Sequence, residues 1–359
     1  MRVCLVIDSN PGDAPAGGVE KASYALCVGL QRLGHDVVLV AGGHGNHDAW
    51  QGVPALRIPA SGRHMLLGGA RAWSAAVARA LTQLRPDVAQ GQGLGFAGAA
   101  VAGWRGGPSV VCVHGNTLMD LRHARGPLGW AVRAPLVRAR AVRALRGATA
   151  VVNVTPNWRV NCPVKPRAQV HIPNPVDEAF FTEIASPEPG SVAYFGGLRR
   201  IKGGDLLLAA WARVVAEVPD ARLHMYGVPP GSIDGLPPHC IPHATLTSSE
   251  SIAHAMGRAS AVVLPSRYEV TPIVAAEAMT VGVPLIATDV GGVRALAGGV
   301  AEVCRIDTTE IAAQIVSAIR APQTWTGKVA EGRKRSEMFR TEYVVGRYVT
   351  LYESILRRG

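Results

Sequence analysis

The stretch Pro265-Ser-Arg-Tyr-Glu269-Val-Thr-Pro-Ile-Val-Ala-Ala-Glu277-Ala-Met279 places two carboxylates on either side of one turn. The apolar run Val262-Val-Leu264 reads as a short buried strand, and Ile273 to Val281 as a helix entered through Pro272. Proline suits that first turn, where its missing N–H would have no intrahelical acceptor. The remaining free amides of the turn point into the loop, toward any bound anion. A carboxylate on each side of an anion-binding turn suits a ligand with hydroxyls at both ends of a phosphate. A nucleotide-sugar has that layout: ribose hydroxyls, a diphosphate, then sugar hydroxyls.

A second group of chemistry-bearing residues follows another apolar run. In Tyr194-Phe-Gly-Gly-Leu-Arg199-Arg200-Ile-Lys202-Gly203-Gly204-Asp205, Lys202 together with Arg199 or Arg200 would counter two phosphate charges. Such charge-assisted contacts contribute ~1.5–3 kcal/mol each. Val113-His114-Gly115-Asn116 ends a strand and turns at Gly115, which sets His114 at the strand's carboxyl end. After the first strand, the loop Asn10 to Glu20 holds Gly17 and Gly18, which permit close backbone approach to a ligand at a helix start. Gly93-Leu-Gly95-Phe-Ala-Gly98 has dinucleotide-fingerprint spacing, but no acid follows about 20 residues on, so the glycines read as helix–strand packing. There is no G-x-S-x-G, no H-E-x-x-H and no phosphate-loop lysine. His239-Cys240-x-x-His243 offers metal-ligand spacing without an evident fourth ligand.

Glu269-x7-Glu277, with Gly282-Val-Pro284 and Thr288-Asp-Val-Gly-Gly292 in register, resembles the signature of the retaining family 4 glycosyltransferases. The resemblance runs through most of the chain and implies a GT-B fold. It also implies a retaining, metal-independent transfer of a sugar from a nucleotide-diphosphate sugar to an acceptor hydroxyl, with uridine favoured over guanosine. By the same resemblance Glu269 contacts the donor sugar and Glu277 the ribose. His114 likewise lies at the donor sugar, and Gly17 and Gly18 near donor phosphate and acceptor. Catalysis then falls to His114, Lys202 and Glu269. Donor binding falls to Gly17, Gly18, Arg199, Arg200, Lys202, Glu269, Ile273, Val274 and Glu277. No cofactor or metal is implied, and the family's Asp-x-Asp-bearing counterpart fold is not matched. Three departures stand out: Gly197 where the family carries Arg, Pro272 in a loop whose amides hold phosphate, and Asn174-Pro-Val-Asp177 in place of Asn-Gly-Val-Asp. Gln90 and Gln92 also stand where the family often has His. A nucleotide-sugar 2-epimerase of the same fold, and a non-catalytic protein binding sugar-nucleotides or a membrane surface, are the competing readings.

The elements that position these residues alternate strand and helix. Strands are expected at 2–8, 36–41, 55–58, 87–90, 109–113 and 149–154, with helices at 18–33, 70–84, 94–103 and 135–146. After a Pro-rich linker at 170–177 the pattern restarts, with strands at 191–196, 221–226, 261–264 and 284–287 and helices at 204–217, 248–257, 273–281 and 308–320. Such alternation predicts α/β architecture: two Rossmann-like, doubly wound parallel-sheet domains facing a cleft. The expected boundaries are 1–172 for the acceptor side and 173–334 for nucleotide-sugar binding. A tail at 335–359, with a packed stripe of Phe339, Tyr343, Val344, Tyr348, Leu351, Tyr352 and Ile355, is expected, and by the resemblance it returns to the first domain.

The 359 residues suit two domains. No apolar run is long enough to span a membrane, and six scattered cysteines read as reduced thiols, which points to a cytoplasmic protein. The net charge of +11, carried almost wholly by arginine with only five lysines, suits a polyanionic partner. Few aromatics and no recognisable motif argue against nucleic acid. Arg138, Arg140, Arg143 and Arg146 on the expected helix 135–146 raise peripheral contact with the inner membrane face. Their wide angular spread reads instead as a solvated helix.

Overall fold

The computed structural model describes residues 1–9, 17–43, 49–50, 52–59, 69–115, 117–166 and 168–358, with side chains outside the description at 117, 119–130 and 132. Backbone contacts divide the chain into two units. The first comprises Met1–Pro175 with Thr341–Gly359, and the second Val176–Arg340.

The first unit is built on strands β1 (Arg2–Ile7), β2 (Asp36–Gly42), β3 (Ala49–Trp50), β4 (Val53–Ile58), β5 (Val88–Gln92), β6 (Ser109–Val113), β7 (Ala150–Asn153) and β8 (Gln169–His171). Their order is β3-β4-β2-β1-β5-β6-β7-β8, parallel except for the β3–β4 pair. The central strands are buried on both faces, as apolar runs without alternation require. Helix Ala70–Leu84 turns Trp73, Val77, Ala80 and Leu81 inward, a helical-period stripe that meets the sheet. The glycines of the 93–98 run serve packing: a Cβ on Gly98 would overlap the Gly93 carbonyl oxygen.

The second unit repeats the scheme with strands β9 (Ser191–Tyr194), β10 (Arg222–Tyr226), β11 (Cys240–His243), β12 (Ala261–Leu264), β13 (Leu285–Thr288) and β14 (Glu302–Cys304). All are parallel, in the order β11-β10-β9-β12-β13-β14. Strand order reverses beside the first strand of each unit, at β1/β5 and at β9/β12. Ligands of doubly wound sheets bind at that point, beyond the strands' carboxyl ends.

Several expectations are corrected. Gln169–His171 is a sheet strand rather than linker, and the units part after Pro175. Helix 135–146 is the end of a longer helix, Thr117–Gly147. Its inner face is made of Ala141, Ala144 and Leu145, small residues that weaken the apolar signal while packing closely. Only part of the tail joins the first unit: residues 335–340, following on from helix Thr326–Ser336, stay with the second, and helix Thr341–Leu356 belongs to the first. Phe339 therefore packs in the second unit's core. No described helix is long and apolar enough to cross a membrane. The six cysteines are free, and burial pushes Cys4, Cys27, Cys112, Cys162 and Cys240 up to about 12.

Helix Thr341–Leu356 is fastened by two buried phenols. Tyr352 donates to Gln90 Oε1 at 2.6 Å, and the Tyr348 hydroxyl lies 3.2 Å from Cys112 Sγ. Tyr352→Phe removes one of these links and should lower the first unit's unfolding free energy by ~1–2 kcal/mol. Urea unfolding followed by circular dichroism measures this; an unchanged midpoint would show that the phenol contributes only its ring.

Candidate functional site

In the second unit three strand-end loops converge on Glu269. Its carboxylate is buried, and Oε1 accepts from Lys202 Nζ at 2.7 Å and from Ser266 Oγ at 2.7 Å. Lys202 lies in the loop after β9, Ser266 and Glu269 after β12. The loop after β13 closes the group: the Gly292 amide donates to the Glu269 carbonyl at 3.2 Å. Gly291 has φ +56°, and a Cβ there would overlap that same carbonyl oxygen. The Thr288 hydroxyl donates to the Ser266 carbonyl at 2.5 Å, which ties β13 to the same loop.

The loop carrying Lys202 is held with equal economy of space. Tyr194 donates to the Gly197 carbonyl at 3.0 Å and to that of Lys202 at 3.4 Å. Arg267 forms two bonds to Asp205, at 2.6 and 2.7 Å, and a third to the Arg200 carbonyl at 2.7 Å. Gly197 has φ +61°, a left-handed backbone that disfavours a side chain, and this is the physical content of its departure from Arg. Gly203 has φ +72°, and a Cβ on it would overlap the Pro265 carbonyl oxygen. Arg199 and Arg200 are exposed, and the structure does not bring either guanidinium to Glu269.

Helix Ile273–Val281 begins at Pro272, whose carbonyl accepts from Ala275 at 3.1 Å and Ala276 at 3.4 Å. The amides of Ile273 and Val274 have no such bond among the described residues and are the open donors of the turn. Glu277 is buried on this helix, about one turn beyond them. The arrangement puts a lysine, a carboxylate and two backbone donors at the switch point of the sheet. It can hold an anion against the amides and hydroxyls against the carboxylates.

The first unit carries its own polar group at the matching end of its sheet. His114 follows β6, with Nε2 2.6 Å from Gln92 Oε1 and Nδ1 3.1 Å from Asn174 Oδ1. Burial lowers His114 to about 4, against smaller opposing effects from Asn174 and Glu20. The ring is therefore neutral at pH 7, donating from one nitrogen and accepting at the other, so one amide partner faces it with its NH2. Gln92, which stands where the family often has His, is thus a direct partner of His114. Gly17 precedes helix Gly18–Arg32, and a Cβ on it would lie 2.7 Å from Glu20 Oε2. A Cβ on Gly18 would meet no atom of the described residues within 4 Å. The rest of that loop, 10–16, lies outside the described residues, as does Asn116 beyond His114.

Ser266, Arg267, Tyr194 and Gln92 are missing from the sequence-derived set. Ser266 sits in the quoted Pro-Ser pair, but its bond to Glu269 depends on a turn that spacing alone does not give. The metal-ligand spacing at 239–243 builds no metal site: among the described residues no group of three His, Cys, Asp or Glu is placed to hold an ion. His243 instead accepts or donates at 3.0 Å to His224 and stacks on Tyr226.

Two outcomes follow. Gly203→Ala drives a Cβ into the Pro265 carbonyl and forces a strained backbone, so it should cost the second unit roughly 2 kcal/mol or more; a calorimetric transition equal to wild type would contradict that packing. His114 adds a pH dependence. Its folded pKa lies below the ordinary 6.5, so the unfolded chain takes up the proton first. The stability it contributes is complete above about pH 6.5 and is lost as pH falls toward about 4, an effect of roughly 2–3 kcal/mol by pH 4.5. His114→Gln should flatten the first unit's pH–stability curve over that window, and an unaltered slope would mean the imidazole is solvated.

Two family models match the chain. Residues 17–174 match the glycosyl transferase 4-like domain, and residues 189–321 match glycosyl transferases group 1. N-acetyl-alpha-D-glucosaminyl L-malate synthase of Bacillus anthracis is 28% identical over 173 residues, 46% of this chain and 45% of that protein. D-inositol 3-phosphate glycosyltransferase of Segniliparus rotundus is 28% identical over 189 residues, 48% of this chain and 42% of that protein. The aligned stretch thus spans less than half the length of each curated relative. Sucrose-phosphate synthase of Thermosynechococcus elongatus superposes with a TM-score of 0.83 at 19% identity, covering 100% of both chains. Anabaena Alr3699/HepE, solved in complex with UDP, gives 0.75 at 16% identity over 99% of this chain and 100% of its own. By fold and by the two domain families it carries in order, the chain belongs to the GT-B glycosyltransferases of the group 1, family 4-like type.

Proposed function

We propose that the protein transfers a sugar from a nucleotide-diphosphate sugar to an acceptor hydroxyl, with retention at the anomeric carbon and without a metal ion. The observation that carries this reading is the Lys202–Glu269–Ser266 cluster beside the open amides of Ile273 and Val274. Breaking the anomeric bond builds positive charge on the sugar and negative charge on the departing diphosphate. In the proposed site Lys202, the two amides and Arg199 or Arg200 stabilise the leaving group. Glu269 accepts from the donor sugar's hydroxyls and Glu277 from those of the ribose. The acceptor oxygen bonds to the anomeric carbon on the face the diphosphate leaves, and its proton passes to a departing phosphate oxygen. Neutral His114 performs no general-base step while its two nitrogens hold Gln92 and Asn174, and a hydrogen bond to the donor sugar requires a sugar hydroxyl to take the place of one of these amides.

UDP is the favoured nucleotide, which agrees with the UDP and UDP-glucose held by the solved Anabaena protein. The names of the two curated relatives point to acceptors that are small acids bearing hydroxyls, L-malate and inositol 3-phosphate. We take that class as the first to test here.

A thermal-shift comparison of UDP, GDP and ADP, with and without EDTA, addresses donor and metal together. Ligand at one hundred times its dissociation constant should add ~2.7 kcal/mol of stability. UDP should give the largest shift, and EDTA should leave it in place; loss of the shift in EDTA would refute metal independence. Glu277→Ala should weaken UDP binding ~10-fold or more, the cost of a charged hydrogen-bond acceptor. Glu269→Ala should act mainly on turnover with a sugar donor. Equal transfer rates in both variants and wild type would remove these residues from the site.

A further inference from the structure

The first sheet reverses its strand order between β1 and β5, and three side chains meet beyond the carboxyl ends of those strands. Asp8 follows β1, and its carboxylate accepts the Phe96 amide at 3.0 Å, at the start of helix Phe96–Gly103. Gly95 leaves room for it, since a Cβ there would lie 2.8 Å from Asp8 Oδ2. Arg140 reaches in from helix Thr117–Gly147 and lays its guanidinium 3.9 Å from the centre of the Phe96 ring.

Arg140 differs from its neighbours. Arg138, Arg143 and Arg146 on the same helix are exposed, whereas Arg140 is half-buried. Burial lowers its pKa, and the charge of Asp8 opposes that effect. No hydrogen bond or ion pair among the described residues holds the guanidinium. A partly desolvated cation without a partner is unfavourable. Stacking on Phe96 occupies the face of the group and fixes its plane, while the in-plane N–H fork stays open. Asp8 does not fill that fork. Its oxygens are engaged by the amides of Phe96 and Ala97, and burial pushes its carboxyl upward, toward the neutral form.

An open guanidinium fork matches a carboxylate or phosphate, which it can bind through two parallel hydrogen bonds. The switch point is where a doubly wound sheet binds its ligand. We propose that Arg140, held flat on Phe96 beside Asp8, grips the acid group of a small hydroxylated acceptor. Asp8 stands beside it to accept from one of the acceptor's hydroxyls. The inference rests on the transferase reading and adds to it the chemical class of the acceptor and the residue that selects it. Arg140 is correspondingly no part of a solvated helix face.

The test is calorimetric titration of L-malate and of inorganic phosphate into the full chain with UDP already saturating, so that the donor's phosphate contacts are occupied. Wild type should bind at least one of the two saturably. Arg140→Gln should weaken that binding ~10-fold or more, as expected for a lost charge-assisted contact. Phe96→Leu, which keeps an apolar residue but no ring, should weaken it to a smaller degree by freeing the guanidinium. Arg140→Lys should recover only part, because it restores charge without the fork. Circular dichroism and UDP affinity of each variant report folding. Absence of saturable oxyanion binding by wild type, or equal binding by Arg140→Gln, overturns the inference. If UDP itself fails to bind wild type, the transferase reading falls first; if UDP binds and neither oxyanion does, only the role of Arg140 falls.

Discussion

A buried carboxylate must be satisfied, and much of the second unit's ligand-facing end is arranged to satisfy one. Glu269 draws Lys202 from the loop after β9 and Ser266 from its own loop, and its carbonyl draws the Gly292 amide from the loop after β13. Each of these approaches is closer than a Cβ would permit at the crossing points, which is why Gly203 and Gly291 stand there in left-handed conformations. The cluster is therefore a knot in the backbone as well as a pair of charges. Leaving such a carboxylate without its cation would be costly, so the same contacts that position Lys202 and Glu269 also hold three loops in register.

The first unit solves a similar problem with neutral groups. His114 sits between two amides instead of beside a carboxylate, and its burial keeps it uncharged. Asp8 is likewise sheltered by backbone donors and pushed toward its neutral form. Arg140 and Glu20 are then the charged side chains described near these groups. At these groups the two units differ in polarity: one offers an ion pair with backbone donors, the other neutral hydrogen-bonding groups and Arg140 stacked on Phe96. On the proposed reading, the second unit's groups suit a phosphate-rich donor and the first unit's a smaller acceptor.

Much of this architecture is legible from the chain because parallel strands buried on both faces are continuous apolar runs, easily separated from the helices between them. The elements that escape are short or carry disguises. β11 includes Pro242, tolerated because it lies at the sheet's edge, and β8 runs directly into a Pro-rich segment that reads as linker. Glu269, Glu277 and Lys202 announce themselves by spacing, since they lie on loops fixed by flanking glycines and prolines. Arg140 does not. Its meaning depends on Phe96, far away in sequence, and on alanines whose small side chains hide the buried face of their helix. Gln92 was obscured for the opposite reason: comparison with a pattern marked it as a substitution, whereas its bond to His114 exists only in three dimensions.

The charge balance around Lys202 bears on how such a site would work. Lys202 is already paired with Glu269, so the pair presents little net charge to an arriving diphosphate. Gly197 supplies no cation, and its backbone conformation is one that an arginine would adopt only with strain. Among the described residues the donors near Lys202 without a partner are then the two helix amides and the exposed Arg199 and Arg200. On the proposed reading, sugar hydroxyls donating to Glu269 would share the carboxylate and let Lys202 turn part of its hydrogen bonding toward the phosphate. Donor sugar and leaving group would thereby be coupled through one ion pair. A nucleotide lacking the sugar would leave Lys202 with its carboxylate, whereas the complete donor would engage both. Binding energy from hydroxyls remote from the breaking bond would in this way strengthen stabilisation of the diphosphate as its charge develops.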